Sequence, residues 1–328
     1  MTATLATYSD WCYAAAMVVY VLALVLHGAQ FAADRQRAPR RELVPAAVGA
    51  AGNGAAPILT DEPPPAHGPT PAYGPTLADG PPTADGPTRA ERLGRMAISL
   101  TVLGALVHTA SLLLRALAVQ RVPWGNMHEF GSAICLAAVV TWLVVLRKHD
   151  VQRLGVFVLL PIVLLLFTSG TLLYAQAAPL QPALQSYWIA IHVSAAVIAS
   201  GMLLVAGAAS IAYLLRGSGH AVRLPDEGVL DRLAYRATIA AFPVWTFAII
   251  TGAVWAETAW GRYWGWDPKE TVALVAWVVY ACYLHARATA GWRRAAAWVN
   301  VAGFAVMVFN LFFVNLVVSG FHSYAGVG

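Results

Sequence analysis

The chain has 328 residues, of which 59% are hydrophobic and only 11% charged. That balance excludes an ordinary soluble domain and points to a polytopic membrane protein. The formal net charge of +5 would suit a nucleic-acid partner, but the basic residues collect in alternate loops, which is the signature of membrane topology, so no nucleic-acid partner is expected.

Runs of about 20 apolar residues let a helix cross the hydrocarbon core. Eight are present, at roughly 11–32, 95–118, 129–146, 154–175, 187–215, 235–256, 271–288 and 295–320. All are expected to be helices, because open strands or loops would leave backbone groups unpaired in lipid. The first run has no basic segment ahead of it and arginines behind it, so residues 1–33 read as the first spanning helix, with no cleavable signal peptide expected. From 34 to 93 the composition turns to Pro, Gly, Ala and Asp, with near-repeats such as His67-Gly68-Pro69-Thr70 and Tyr73-Gly74-Pro75-Thr76. Such a segment buries too little apolar surface to offset ordering and is expected to be a disordered cytoplasmic linker. Residues 94–328 are expected to form a seven-helix core.

One set of loops carries Arg35, Arg37, Arg40, Arg41, Arg89, Arg92, Arg95, Arg147, Lys148, Arg153, Arg216, Arg223, Arg232, Arg236, Arg287, Arg293 and Arg294. The other set keeps only Arg115, Arg121, Arg262 and Lys269. By the positive-inside rule both termini and the loop between helices six and seven face outward from the cell membrane. That loop, 255–270, contains Trp260-Gly261-Arg262-Tyr263-Trp264-Gly265-Trp266-Asp267-Pro268-Lys269-Glu270, three indoles and four charges between two apolar spans. Asp267-Pro268 should open a helix with Pro at its first position and acid in its first turn, so Asp267 and Glu270 are expected to orient the loop or cap helix seven. Nothing in the chain reads as a nucleophile or general base.

Cys12, Cys135 and Cys282 sit in or beside the spans and form no Cys-x-x-Cys pair. They imply neither a disulfide framework nor a zinc site, and the chain neither attaches haem to itself through Cys-x-x-Cys-His nor carries a reducing dithiol. The nine histidines sort by depth. His67, His149 and His220 fall in the linker or loops and read as solvated surface. His27 and His108 fall within spans and read as packed, hydrogen-bonded side chains; His128 either caps the third helix or is exposed. His192, near the start of the fifth span, and His322, after the eighth, meet the tryptophan loop at one membrane face. His285 follows Glu270 by fifteen residues and should lie about 22 Å deeper.

Two imidazoles beside an aromatic platform are the parts a haem needs, with Arg262 and Lys269 as cations for its propionates. An interfacial belt of Trp and Tyr is the plainer alternative. Against it stands the order of the loop, which alternates rings with turn residues and ends in a helix start.

Trp260-Gly261-x-x-Trp264-x-Trp266-Asp267-Pro268-x-Glu270 resembles the tryptophan-rich WWD signature of haem-handling proteins in cytochrome c maturation. Within that group the chain is similar to the CcsA/ResC family of System II, labelled CcsB in actinobacteria. The likeness extends over Arg115, Pro123, Asn126 and Glu129, then Trp188 and His192, His285 with Gly291-Trp292, and Asn315 with Gly320, His322, Ser323 and Tyr324. The Pro-rich insert lies outside the family pattern, and His128 stands where that pattern commonly has an aromatic residue. The resemblance implies an all-α fold of eight spans in which His192 and His322 ligate haem b at an external site and His285 ligates a second, inner haem. It implies a ResB/CcsB-type membrane partner supplying the other inner ligand, apocytochrome c as client, a thiol-reducing protein as a further partner, and membership of a cytochrome c synthase (haem lyase) complex. Two other classes remain open at this point, a cytochrome b-like electron carrier and a polytopic small-solute exporter. The carrier needs paired histidines at each of two depths; the exporter would show broken helices or acidic residues at mid-membrane.

Overall fold

A computed structural model describes residues 2–33, 88–180, 182–219, 224–289, 291–318 and 320–322. Among the described residues, eight helices are long and apolar enough to cross a membrane. They are α1 (Thr2–Ala33), α2 (Arg89–Val119), α3 (Met127–Lys148), α4 (Gly155–Thr171), α5 (Tyr187–Gly217), α6 (Glu227–Trp260), α7 (Pro268–Ala288) and α8 (Arg293–Leu316). Among the described residues there is no strand.

The number of spans is the expected one, but several ends differ because polar first and last turns extend a helix beyond its apolar stretch. α2 begins inside the stretch read as linker. There Thr88 Oγ1 accepts the Glu91 N–H at 3.2 Å while Glu91 Oε2 accepts the Thr88 N–H at 2.9 Å, a reciprocal cap that fixes the first turn. α6 starts at Glu227 rather than 235 and runs through Trp260, so the first indole of the tryptophan loop stands on a helix. α4 stops at Thr171, four residues short of the expected 175. The other linker residues, 34–87, lie outside the described residues, as do His67, His220, Ser323 and Tyr324.

α1 pairs with α2, α5 with α6 and α7 with α8, while α3 and α8 both pack on α5 and so join the pairs into one bundle. Lipid tails are as apolar as the helices, so close backbone approach and interhelical hydrogen bonds hold such bundles together. The α3–α5 seam shows the first device: a Cβ on Gly201 would lie 2.6 Å from the backbone nitrogen of Ala138. The second device is a buried ionic cluster joining α1, α2 and α3. Arg115 donates to Glu129 at 2.9 Å and to Asp10 at 3.2 Å, and also to the carbonyl of Ala175. Glu129, fully buried, also accepts from Arg121 and from the Gly125 N–H, each at 2.8 Å, and so fixes the α2–α3 loop.

His27, His108 and His128 are packed as core groups. His108 bonds Ser132 Oγ at 2.8 Å, and His128 donates to the carbonyl of Ser169 at 2.7 Å while its ring rests on Tyr13 and Tyr174. His128 is thus buried, neither the helix cap nor the exposed side chain that its sequence position allowed.

Two substitutions test this framework by thermal unfolding in detergent. Glu129→Ala leaves buried Arg115 without its closest partner and should cost about 3–5 kcal/mol. Gly201→Leu must push α3 and α5 apart and should destabilise by at least about 1–3 kcal/mol. Unchanged melting in either variant would refute its part of the account.

Candidate functional site

The site is built where α6 ends and α7 begins. Gly261 closes α6 in the left-handed region, with φ 70°, and its N–H bonds the Glu257 carbonyl. Six residues on, Asp267 caps α7 with Pro268 at the first helical position, and Glu270 Oε2 reaches back to the N–H groups of Asp267 and Gly265 at 3.1 and 2.9 Å. Loop and helix start are thereby one hydrogen-bonded unit.

Asp267 does more than cap. Its Oδ1 accepts the Phe321 N–H at 2.7 Å and its Oδ2 accepts from His322 Nδ1 at 2.8 Å, so a carboxylate on α7 holds the segment that follows α8. The approach requires Gly320, where a Cβ would come within 2.6 Å of Asp267 Oδ1. Burial alone would raise the Asp267 pKa, but the hydrogen bonds from His322 and Phe321 outweigh it and hold the group below its ordinary value, as an anion. His322 is displaced downward because burial outweighs the pull of Asp267, which keeps the imidazole neutral at pH 7.

His192 approaches from α5. Its Nδ1 donates to the Ala248 carbonyl on α6 at 2.7 Å, and Gly252 leaves room for the ring, since a Cβ there would meet His192 Cε1 at 2.7 Å. Trp255 joins the two histidines. Its indole stacks on His192 with centroids 6.1 Å apart and planes 9° from parallel, and meets His322 edge-on at 5.7 Å. Trp260 completes the frame, 4.7 Å from Trp255, 5.3 Å from His322 and 5.1 Å from Phe321.

Both imidazoles open on a cavity of about 460 Å³, whose rim includes Trp260, Tyr263, Trp264 and Lys269. Its wall follows α5 from Ile189 to Leu204, about 22 Å at 1.5 Å per residue, so it reaches well into the bundle. The lower wall is apolar, with Leu203, Phe304 and Met307 among its members.

Of the residues singled out in the sequence, His192, His322, Trp260, Trp264 and Lys269 share this cavity, with Asp267 directly behind His322. Three do not. Trp266 is 69% exposed and touches Trp264 edge-on from outside, its backbone in the left-handed region at φ 57°. Arg262 lies over the Phe321 ring at 4.4 Å, and Gly265 gives its guanidinium space that any side chain would take. His285 is on the exposed side of α7, near the opposite end of the bundle. Trp255 was missed: it reads as one more aromatic residue in an apolar span, and only its contact with both histidines gives it a role.

This donor set fits a porphyrin iron better than a bare metal ion. Among the described residues no three His, Cys, Asp or Glu gather as a metal site, and a bare zinc ion would want three or four protein ligands. A porphyrin brings four nitrogens of its own and asks for two axial ones. Each Nδ1 is engaged, His322 by a carboxylate and His192 by a carbonyl, which fixes the orientation of both rings.

Fold and site together define a multi-pass α-helical membrane protein with a histidine-flanked aromatic cavity at one end of the bundle. Residues 124–322 match the family model described as "Cytochrome C assembly protein". The relatives include proteins named "Cytochrome c biogenesis protein CcsA" from Synechococcus sp. (strain CC9902), 35% identical over 69% of this chain and 85% of that protein. One from Synechococcus sp. (strain CC9311) is 33% identical over 72% of the chain and 90% of that protein. One from Chlamydomonas reinhardtii is 44% identical over 45% of the chain and 44% of that protein. The chain belongs to the cytochrome c assembly protein family, and its role lies in cytochrome c biogenesis.

Replacing Asp267 by Asn keeps the shape of the cap but removes the charge behind His322. Haem affinity should fall about 10- to 100-fold, as for other groups that orient a metal-bound histidine. Titration of the purified variant with haem measures this; wild-type affinity would show that Asp267 is a helix cap only.

Proposed function

We propose that this chain holds haem between His192 and His322 on the external face of the cell membrane and presents it to apocytochrome c for thioether attachment. The observation that carries the reading is the convergence of the two imidazoles on Trp255, each with Nδ1 engaged, at the mouth of an apolar cavity. His192 and His322 would hold the haem through its iron, and the haem would supply the vinyl groups that react. The chain's own residues bind and orient the macrocycle, exclude water and keep its reactive edge accessible.

In the attachment step each thiol of a reduced Cys-x-x-Cys-His adds across one haem vinyl group. A carbon–sulfur bond forms at the vinyl carbon next to the ring, the thiol hydrogen ends on the terminal carbon, and the carbon–carbon double bond becomes single. No oxidant or reductant is consumed, and no side chain of this protein needs to act as nucleophile. Its contribution is positioning, which greatly raises the effective concentration of two reactants. A protein that keeps the client's thiols reduced is the further partner this step requires.

Haem arrives in this scheme from the cytoplasmic side by way of an inner site, where His285 is one ligand and a ResB/CcsB-type partner offers the other. An exposed His285 on α7 suits a ligand shared with a neighbouring subunit. The outward orientation of the tryptophan loop and of both termini rests on the distribution of arginine. A cytochrome b-like electron carrier fits less well, because it needs a second inner histidine in the same bundle. His27 and His108 lie on α1 and α2, whereas α7 packs on α6 and α8. For an exporter, unpaired acids at depth are the expected mark. Buried Asp231, which the extended α6 brings inside a helix, is paired with Arg287 at 2.6 Å.

The test is to purify the protein with its ResB-type partner and record haem spectra of His192→Ala, His322→Ala and His285→Ala. The first two should perturb one haem, and the third should deplete another. Full occupancy and unaltered spectra in all three would sink the ligand assignment.

A further inference from the structure

Among the described residues, two side chains of the cavity wall keep a buried polar atom without a hydrogen-bond partner, Trp124 Nε1 and Asn310 Oδ1, and Asn310 is the one set among the apolar residues of the lower wall. Asn310 on α8 is only 5% exposed, lines the cavity among Met307, Leu311 and Phe304, and its Oδ1 has no hydrogen-bond partner among the described residues. Its neighbour Asn315 differs, since the Asn315 amide is spent on the carbonyls of Asn310 and Leu311 at 3.2 and 2.7 Å. A buried carboxamide oxygen without a donor is unfavourable, and at membrane depth a polar group in an apolar wall marks a functional contact.

Depth gives the contact its meaning. Asn310 precedes the last residue of α8, Leu316, by six positions, and His192 follows the first residue of α5, Tyr187, by five. At 1.5 Å per residue these are about 9 and 8 Å from the same end of the bundle. Asn310 therefore sits level with or just beneath the His192 ligand, below the indoles of the rim. Of the two cations expected to take the propionates, Arg262 is packed on Phe321 outside the cavity wall, while Lys269 stands at the rim.

We propose that Asn310 binds a carboxyl group of the haem cargo and thereby sets which edge of the macrocycle points inward. The inference rests on the haem-holding function proposed above. Haem carries two carboxyl groups along one edge and its vinyl groups on the opposite side. In an apolar cavity a carboxyl group is favoured in its neutral form. Its O–H then donates to Asn310 Oδ1 while its C=O accepts from Nδ2 of the same amide, a two-point pair. With that edge held inward, the vinyl edge lies at the mouth, where the client's thiols arrive. Asn310 is thus a positioning residue.

The experiment uses the full-length purified protein and compares wild type with Asn310→Leu, which is close in shape, and Asn310→Ala. Each is titrated with haem and with haem dimethyl ester, which retains the ester carbonyls but cannot donate. Wild type should prefer the acid over the ester by about fivefold or more beyond the preference of either variant, the size expected for one net hydrogen bond. Comparing the two ratios cancels contributions from Lys269 and other groups. The haem-free Asn310→Leu protein should melt at or above the wild-type temperature, because an unpartnered amide has been removed. Equal acid-to-ester ratios in wild type and variants would overturn the proposal and leave the haem site standing. A lower melting temperature with both ligands weakened alike would assign Asn310 a structural role and overturn it too. If wild type binds neither ligand, the haem-holding function fails, and this inference with it.

Discussion

A single carboxylate ties together parts of the chain that the sequence keeps more than fifty residues apart. Asp267 begins α7, anchors the backbone at Phe321 and fixes the ring of His322, all within hydrogen-bonding distance. Because three donors converge on it, the acid stays ionised despite burial. Without it the segment after α8 would keep its contacts with Trp255, Trp260 and Arg262 but lose its hydrogen bonds to the start of α7. The second histidine would then be held less firmly relative to the first, which is placed independently by the α5–α6 packing through Ala248 and Gly252.

The aromatic groups are best understood as a scaffold for those imidazoles. Trp255 and Trp260 stand on the last two turns of α6 and touch each other, both touch His322, and Trp255 also stacks on His192. An ordinary interfacial belt would spread its rings around the bundle to face headgroups. Here the contacts of Trp255 and Trp260 turn inward, whereas Tyr263 and Trp266 in the same loop keep the outward posture of belt residues. Such rigid surroundings suit the proposed positioning role, since geometry held in advance need not be created on binding.

How much of this was legible in the sequence follows from what each signal measures. Hydropathy over windows of 18 or more residues found all eight spans, because lipid burial acts on whole segments. It could not find the true start of α2 or α6, where capping pairs and polar first turns add helix that no membrane demands. Asp267-Pro268-x-Glu270 announced a helix start because capping is local chemistry, and the capping pair is there. Tertiary roles left no such trace. Nothing in one dimension separates Trp255 from Trp245, or Asn310 from Asn300, since the difference is which neighbour lies across the bundle. Trp266 shared its motif with Trp264, yet a left-handed backbone turned it away from the cavity.

The seam at Gly201 reaches as far as His192. Since α3 and α5 touch backbone to backbone there, with Ala137 and Ala138 filling the contact, no compliant layer of side chains lies between them. α5 carries His192 on the face away from that seam, so a tilt imposed on α5 is also a tilt of that imidazole. Bulk added at Ala137, on a helix bearing neither of the two cavity histidines, would be transmitted to the cavity as a displaced ring: the position of one imidazole is a gauge of how tightly two remote helices are pressed together.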